Sequence, residues 1–154
     1  MDKKEEKYLR VIKQIKALIL PVTNPASRMA TICAVLHYKF PQFFWTGFYF
    51  LTPEKELEVT TYQGPLACLR LKKDTGVCWA SINQKDTIIV SDVHSFEGHI
   101  ACNPLSKSEI VIPVFHDNQA IGVLDIDSDK KDSFDNIDAK YLEEIVNMIY
   151  FVIQ

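Results

Sequence analysis

The stretch that decides the fold reads Ser108-Glu109-Ile110-Val111-Ile112-Pro113-Val114-Phe115, then His116-Asp117-Asn118-Gln119, then Ala120-Ile121-Gly122-Val123-Leu124-Asp125-Ile126-Asp127. Both flanks are rich in β-branched residues and neither carries a helical repeat, while the four residues between them are turn formers. The stretch therefore predicts two antiparallel strands joined as a hairpin. Side chains alternate along a strand, so Asp125 and Asp127 share a face. Glu109 lies at the start of the preceding strand; whether it stands opposite that pair depends on hairpin register, which a slip of one residue would invert.

Working outward, Tyr8, Val11, Ile12, Ile15, Leu18 and Ile19 recur at three- and four-residue steps over 7–20, and Pro21 ends the pattern, which predicts a first helix. Asn24-Pro25 supplies an N-cap and a first-turn proline for a second, with Met29, Ile32, Cys33, Leu36 and Phe40 on its apolar face. Aromatic and β-branched runs at 44–51 and 57–62, joined by Thr52-Pro53-Glu54-Lys55, predict another hairpin. Thr75-Gly76 opens a short helix carrying Val77, Cys78, Ala80 and Ile82, and 87–90 reads as a brief strand. Residues 91–107 are polar and irregular. A last helix begins near Ser133 or Asp135, carries Leu142, Ile145, Val146, Ile149 and Ile153 on one face, and is expected to run nearly to residue 154. This order predicts an α+β fold, a central antiparallel sheet with helices packed on it, in one domain spanning 1–154.

A chain of 154 residues with 47% hydrophobic and 24% charged residues is long and apolar enough for one buried core. The net charge of −3 is spread along the chain with no basic stripe, which argues against nucleic acid as a partner. The N-terminus is charged, and no apolar run approaches the roughly 18 residues of a membrane span, so a cytoplasmic protein is expected. Four cysteines are too few and too irregular to be needed as staples in a chain of this size, which leaves them as core or chemistry. Cys33 falls on an apolar helix face and reads as core. Cys68, Cys78 and Cys102 fall in loops or at element ends, where a side chain can reach solvent. His99, close to Cys102, can help lower a thiol pKa. His94, His99 and Cys102 offer nitrogen and sulfur donors for zinc, but no paired ligand spacing supports a metal, and none is expected. Two like charges held close raise the pKa of one partner, so Asp125 or Asp127 could serve as an acid near neutral pH; a solvated strand end, where aspartates are common, accounts for the pair equally well. Trp45 and Tyr49, four apart on one strand face, serve equally as core or as the wall of a pocket for a small sulfur-containing ligand.

These residues bring the chain close to a known family. It resembles the free methionine-R-sulfoxide reductases of the GAF superfamily from about Trp45 to the last helix. The resemblance is carried by Trp45-Thr46-Gly47-Phe48-Tyr49, Gln63-Gly64-Pro65-Leu66-Ala67-Cys68, Gly76-Val77-Cys78, Gly98-His99-Ile100-Ala101-Cys102, Ser108-Glu109-Ile110-Val111-Ile112-Pro113 and Leu124-Asp125-Ile126-Asp127-Ser128. Trp79 departs from the pattern, which has a small residue after Gly-Val-Cys. The resemblance implies a GAF-like domain that reduces free methionine-R-sulfoxide. It makes Cys102 the nucleophile, Cys68 the resolving cysteine and Cys78 a secondary thiol. Glu109, Asp125 and Asp127 become the acid and the amino-group binders, and Trp45 and Tyr49 the pocket around the methyl-sulfur end. It implies thioredoxin as the external reductant, with no metal or organic cofactor, and is compatible with a homodimer. The alternative within the same superfamily is an effector-binding module without catalysis, which leaves the three loop cysteines without a purpose.

Overall fold

The computed structural model describes residues 1–99 and 102–153. Helix α1 (Lys3–Ile19) begins four residues before the apolar repeat predicts, because Asp2 caps it and Lys3 to Glu6 are good helix formers that carry no apolar signal. Helix α2 (Pro25–Lys39) starts at its expected cap, with the Asn24 side chain accepting from the Ala26 N–H. Strands β1 (Trp45–Leu51) and β2 (Leu57–Gln63) form the first hairpin, followed by a two-residue strand β3 (Arg70–Leu71) too short to leave a pattern in sequence. Helix α3 (Gly76–Gln84) and strand β4 (Ile88–Val90) lead into a 3-10 turn at Val93–Ser95. Strands β5 (Ser108–His116) and β6 (Gln119–Ser128) are the second hairpin, and α4 (Asn136–Val146) follows. The β5–β6 turn is tighter than the four polar residues suggest. Asp117 and Asn118 alone form it, both with positive φ, and His116 pairs with Gln119, as in a type I′ connection.

The six strands are ordered β3-β2-β1-β6-β5-β4, each pair antiparallel, so the expected α+β architecture holds. Alternation along the strands divides the interior in two. Ile110, Ile112, Val114, Leu124 and Ile126 face α1, α2 and α4. Trp45, Tyr49, Val111 and Val123 face α3 and the loops. The first face is closed by three helices; the second is covered by a single short helix, and there a pocket opens.

The last helix is shorter than its repeat predicts. It ends at Val146, and after a tight turn Ile153 lies 65% exposed instead of continuing the apolar face. The cause is Arg28, a buried guanidinium that donates to the carbonyls of Met148, Ile149 and Phe151 at 2.9, 3.1 and 2.5 Å, and to Ile19 and Val22 at 3.1 and 2.6 Å. Beyond Val146 the chain continues in tight turns, with the Met148 carbonyl also accepting from the Phe151 N–H at 3.3 Å. No helix among the described residues is long and apolar enough to cross a membrane.

Candidate active site

The hairpin register left open by sequence places Glu109 directly across from Asp127, and Asp127 in turn pairs with Trp45 of β1. Trp45, Asp127 and Glu109 thus form one lateral row on the α3 side of the sheet. The next row is Gly47, Asp125 and Val111. Gly47 is required where it stands, since a Cβ there would come within 2.5 Å of the Trp45 ring and closer still to Tyr62 Cβ. Its missing side chain lets the indole lie flat, stacked on Tyr62 and Tyr49 with ring centroids 5.3 and 5.9 Å away.

Both aromatics also hold the loop that follows β2. Trp45 Nε1 donates to the Pro65 carbonyl at 3.1 Å, and the Tyr49 hydroxyl donates to the Cys68 carbonyl at 3.0 Å. The loop so anchored is bonded to the other side of the pocket by a disulfide between Cys68 and Cys102, with Cα atoms 5.5 Å apart. Ile100 and Ala101 of the Gly98 to Cys102 tract lie outside the described residues.

The resulting pocket is a cleft with about 580 Å³ of space between its walls, open solvent at the mouth included. Trp45, Tyr49, Cys78, Cys102, Glu109, Asp125 and Asp127 all line it. Cys68 stands behind Cys102 as its bonded partner. Sequence reasoning assigned no role to Phe44, Leu66, Asn103 and Ser106, which also line the pocket; only Leu66 falls within a motif quoted above.

Burial gives this cluster its chemistry. Glu109 is pushed up to about 8, first by loss of solvent and then by the charge of Asp127. Burial, then the neighbouring Glu109, raises Asp125 well above the carboxylate range; burial, then Asp125, does the same to Asp127. All three shifts favour the protonated carboxyl, and the groups titrate as a coupled set. Asp125 Oδ1 is buried without a hydrogen-bond partner among the described residues, an acceptor that the protein itself does not satisfy.

Two sequence expectations change here. Cys78 does not reach solvent: it is 4% exposed on the inner face of α3, and burial followed by the charge of Asp125 raises its thiol well above the ordinary value. Helix α3 packs flat on β5 and β6, so the residue after its first turn points inward. His99 sits beside Glu109, with Nε2 3.6 Å from the carboxyl, and burial lowers its pKa, so that contact is not an ion pair at neutral pH. Trp79, the departure from the family pattern, points away from the pocket and donates to the Leu71 carbonyl at 3.2 Å. His94 is exposed on the 3-10 turn and Cys102 is bonded to Cys68, so the histidine–cysteine trio is not a ligand set. Cys33 is core, as expected: it is 1% exposed, and burial pushes its thiol up to about 12.

Comparison with known proteins agrees with this construction. A GAF domain family model matches residues 23–154. Free methionine-R-sulfoxide reductase of Escherichia coli is 36% identical over 143 residues, covering 93% of this chain and 86% of that protein. The chain belongs to the GAF-domain family of free methionine-R-sulfoxide reductases. GAF domain-containing protein A of Dictyostelium discoideum is 47% identical over 146 residues, covering 95% of this chain and 92% of the relative. Among solved structures, the free methionine-R-sulfoxide reductase of Neisseria meningitidis in complex with its substrate superposes with a TM-score of 0.92 at 39% identity, covering 97% of this chain and 90% of that one. The two-sided sheet of this family member thus has close counterparts, including one with a substrate bound.

Proposed function

We propose that the protein reduces free L-methionine-(R)-S-oxide to methionine, with Cys102 as nucleophile. The observation that carries this reading is that Cys102, disulfide-bonded to Cys68, lines the same pocket as a buried set of protonated carboxyls and a stacked aromatic wall. The Cys102 thiolate attacks the sulfoxide sulfur while a carboxyl of the Glu109, Asp125 and Asp127 set donates a proton to the sulfoxide oxygen. Methionine leaves with its sulfur reduced, and the oxygen stays on Cys102 as a sulfenic acid. The Cys68 thiol then displaces that oxygen as water and forms the Cys68–Cys102 disulfide. An external dithiol, thioredoxin, attacks this disulfide and returns both thiols, with Cys78 a secondary acceptor by exchange. The electrons come from thiols throughout, so the reaction balances without a metal or organic cofactor.

Specificity for the free amino acid follows from charge. The α-ammonium of free methionine sulfoxide offers several donors to Asp125 Oδ1 and a cation to the acidic set; a residue inside a peptide keeps a single neutral N–H. Trp45 and Tyr49 present polarizable faces to the methyl-sulfur end.

The test is a thioredoxin-coupled NADPH assay with the free R epimer, the free S epimer and a peptide sulfoxide. Oxidation with the free R epimer alone supports the reading; silence with all three overturns it and favours an effector-binding module. Cys102→Ser is expected to abolish turnover. Cys68→Ser is expected to release one methionine per chain and stall, and equal steady-state rates for wild type and Cys102→Ser would exclude the mechanism.

A further inference from the structure

Three side chains from three different elements meet at the floor of the pocket. Cys78 comes from α3, Glu109 from β5 and Asp125 from β6, and one donor atom of each lies within 4.8 Å of the other two. All three are buried, at 4, 5 and 6% exposure. Within that group, Asp125 Oδ1 is a buried oxygen with no hydrogen-bond partner among the described residues. A thiol and two carboxyls this close repel one another once ionised, and a divalent cation held between them offsets most of that charge.

We propose that this floor is a binding site for a thiophilic divalent cation of the Zn²⁺ class, and that the cation competes with the sulfoxide substrate for the same carboxyls. One sulfur and two oxygen donors select zinc or cobalt over magnesium and calcium, which take oxygen alone. Three protein ligands leave one position of a tetrahedral ion for water. On binding, bonds form from the metal to Cys78 Sγ and to carboxylate oxygens of Glu109 and Asp125, and the protons these groups held leave to solvent; no electron moves. The ion is an inhibitor in this scheme, since it occupies the acid groups and the ammonium acceptor. Cys33 cannot substitute for Cys78, because it lies in the apolar interior on the opposite side of the sheet. The metal site stands on geometry alone, whereas the competition rests on the catalytic reading above.

The experiment uses the disulfide form, in which Cys68 and Cys102 are bonded to each other and offer no thiolate. Titration with Co²⁺ alone is expected to give a thiolate-to-metal charge-transfer band that saturates at one ion per chain. Titration with Zn²⁺ alone, by calorimetry in buffers of different ionisation heat, is expected to show proton release. Cys33→Ser keeps both signals. Cys78→Ser loses the band, and Asp125→Asn weakens Zn²⁺ binding on the order of tenfold or more while circular dichroism reports an intact fold. Absence of the band in the wild-type protein, or its survival in Cys78→Ser, overturns the site. Free methionine sulfoxide added to the cobalt-loaded protein is expected to bleach the band. A band that persists retains the metal site and overturns the competition, so failure of the catalytic reading and failure of the metal site are read separately.

Discussion

Glu109 holds a proton at a pH where a surface glutamate has lost it, because its carboxyl is buried beside Asp127 and opposite no fixed cation. That has a consequence for stability as well as for chemistry. A carboxyl raised in the folded state contributes its full stability below the ordinary carboxylate range, and loses it as pH climbs from there through about 8. Glu109→Gln keeps the shape and removes the charge, so its unfolding free energy relative to wild type is expected to rise between pH 5 and pH 8 by about 1 kcal/mol or more, read from urea titrations at the two ends. In the proposed reaction the same substitution removes a proton donor, and kcat/KM is expected to fall by on the order of a hundredfold. A variant that gained stability equally at both pH values would show that Glu109 is not the titrating group.

At the scale of elements, Arg28 sets where the last helix stops. Its guanidinium gathers carbonyls from the end of α1 and from the chain after α4, with no carboxylate among its hydrogen-bond partners in the described residues. It satisfies groups that helix ends leave open, and it carries the charge that helix C-termini favour. Arg28→Met fits a similar volume and removes five charge-assisted hydrogen bonds, among them those to the buried Met148 and Ile149 carbonyls, so it is expected to cost about 3 kcal/mol or more, measured by chemical unfolding. The loss should concentrate in the C-terminal segment, visible as faster amide exchange from residues 147–153 than in β5 and β6. Across the sheet, Gly47 has the corresponding role for the site. Gly47→Ala drives a methyl group into Trp45 and Tyr62, and overpacking of this kind costs about 1–3 kcal/mol. A displaced indole also releases its bond to the Pro65 carbonyl, so the KM for the sulfoxide is expected to rise more than kcat falls.

For the whole molecule, the disulfide ties two loops that cross above the pocket and are 34 residues apart in sequence. Closing a loop of that length in the unfolded chain lowers its entropy enough to stabilise the folded protein by about 3–4 kcal/mol. The bridged form is therefore expected to unfold at higher denaturant than the dithiol form, with the midpoint dropping on addition of a reductant and returning on reoxidation. No difference between the two forms would mean that the unfolded dithiol chain keeps residual structure that offsets the gain from closing the loop. In the proposed reaction the cycle alternates between a tied and a loosened pocket wall, which suits exchange of a small ligand followed by entry of an external dithiol.

Local chemistry in the chain was enough to read the helices from apolar spacing, the hairpins from β-branched runs around turn residues, and the common face of Asp125 and Asp127 from strand alternation. Those features depend on neighbours within a few residues, so they survive without knowledge of the rest. The tertiary structure decided what depends on distance. Register brought Glu109 opposite Asp127; packing of α3 against β5 and β6 buried Cys78; and Arg28 ended the last helix before its repeat did. None of these leaves a periodic signal, because burial, register and long-range hydrogen bonds are properties of which surfaces meet. The protonated state of the acidic set belongs to the second group too, since a carboxyl written in sequence is ionised until the fold takes its water away.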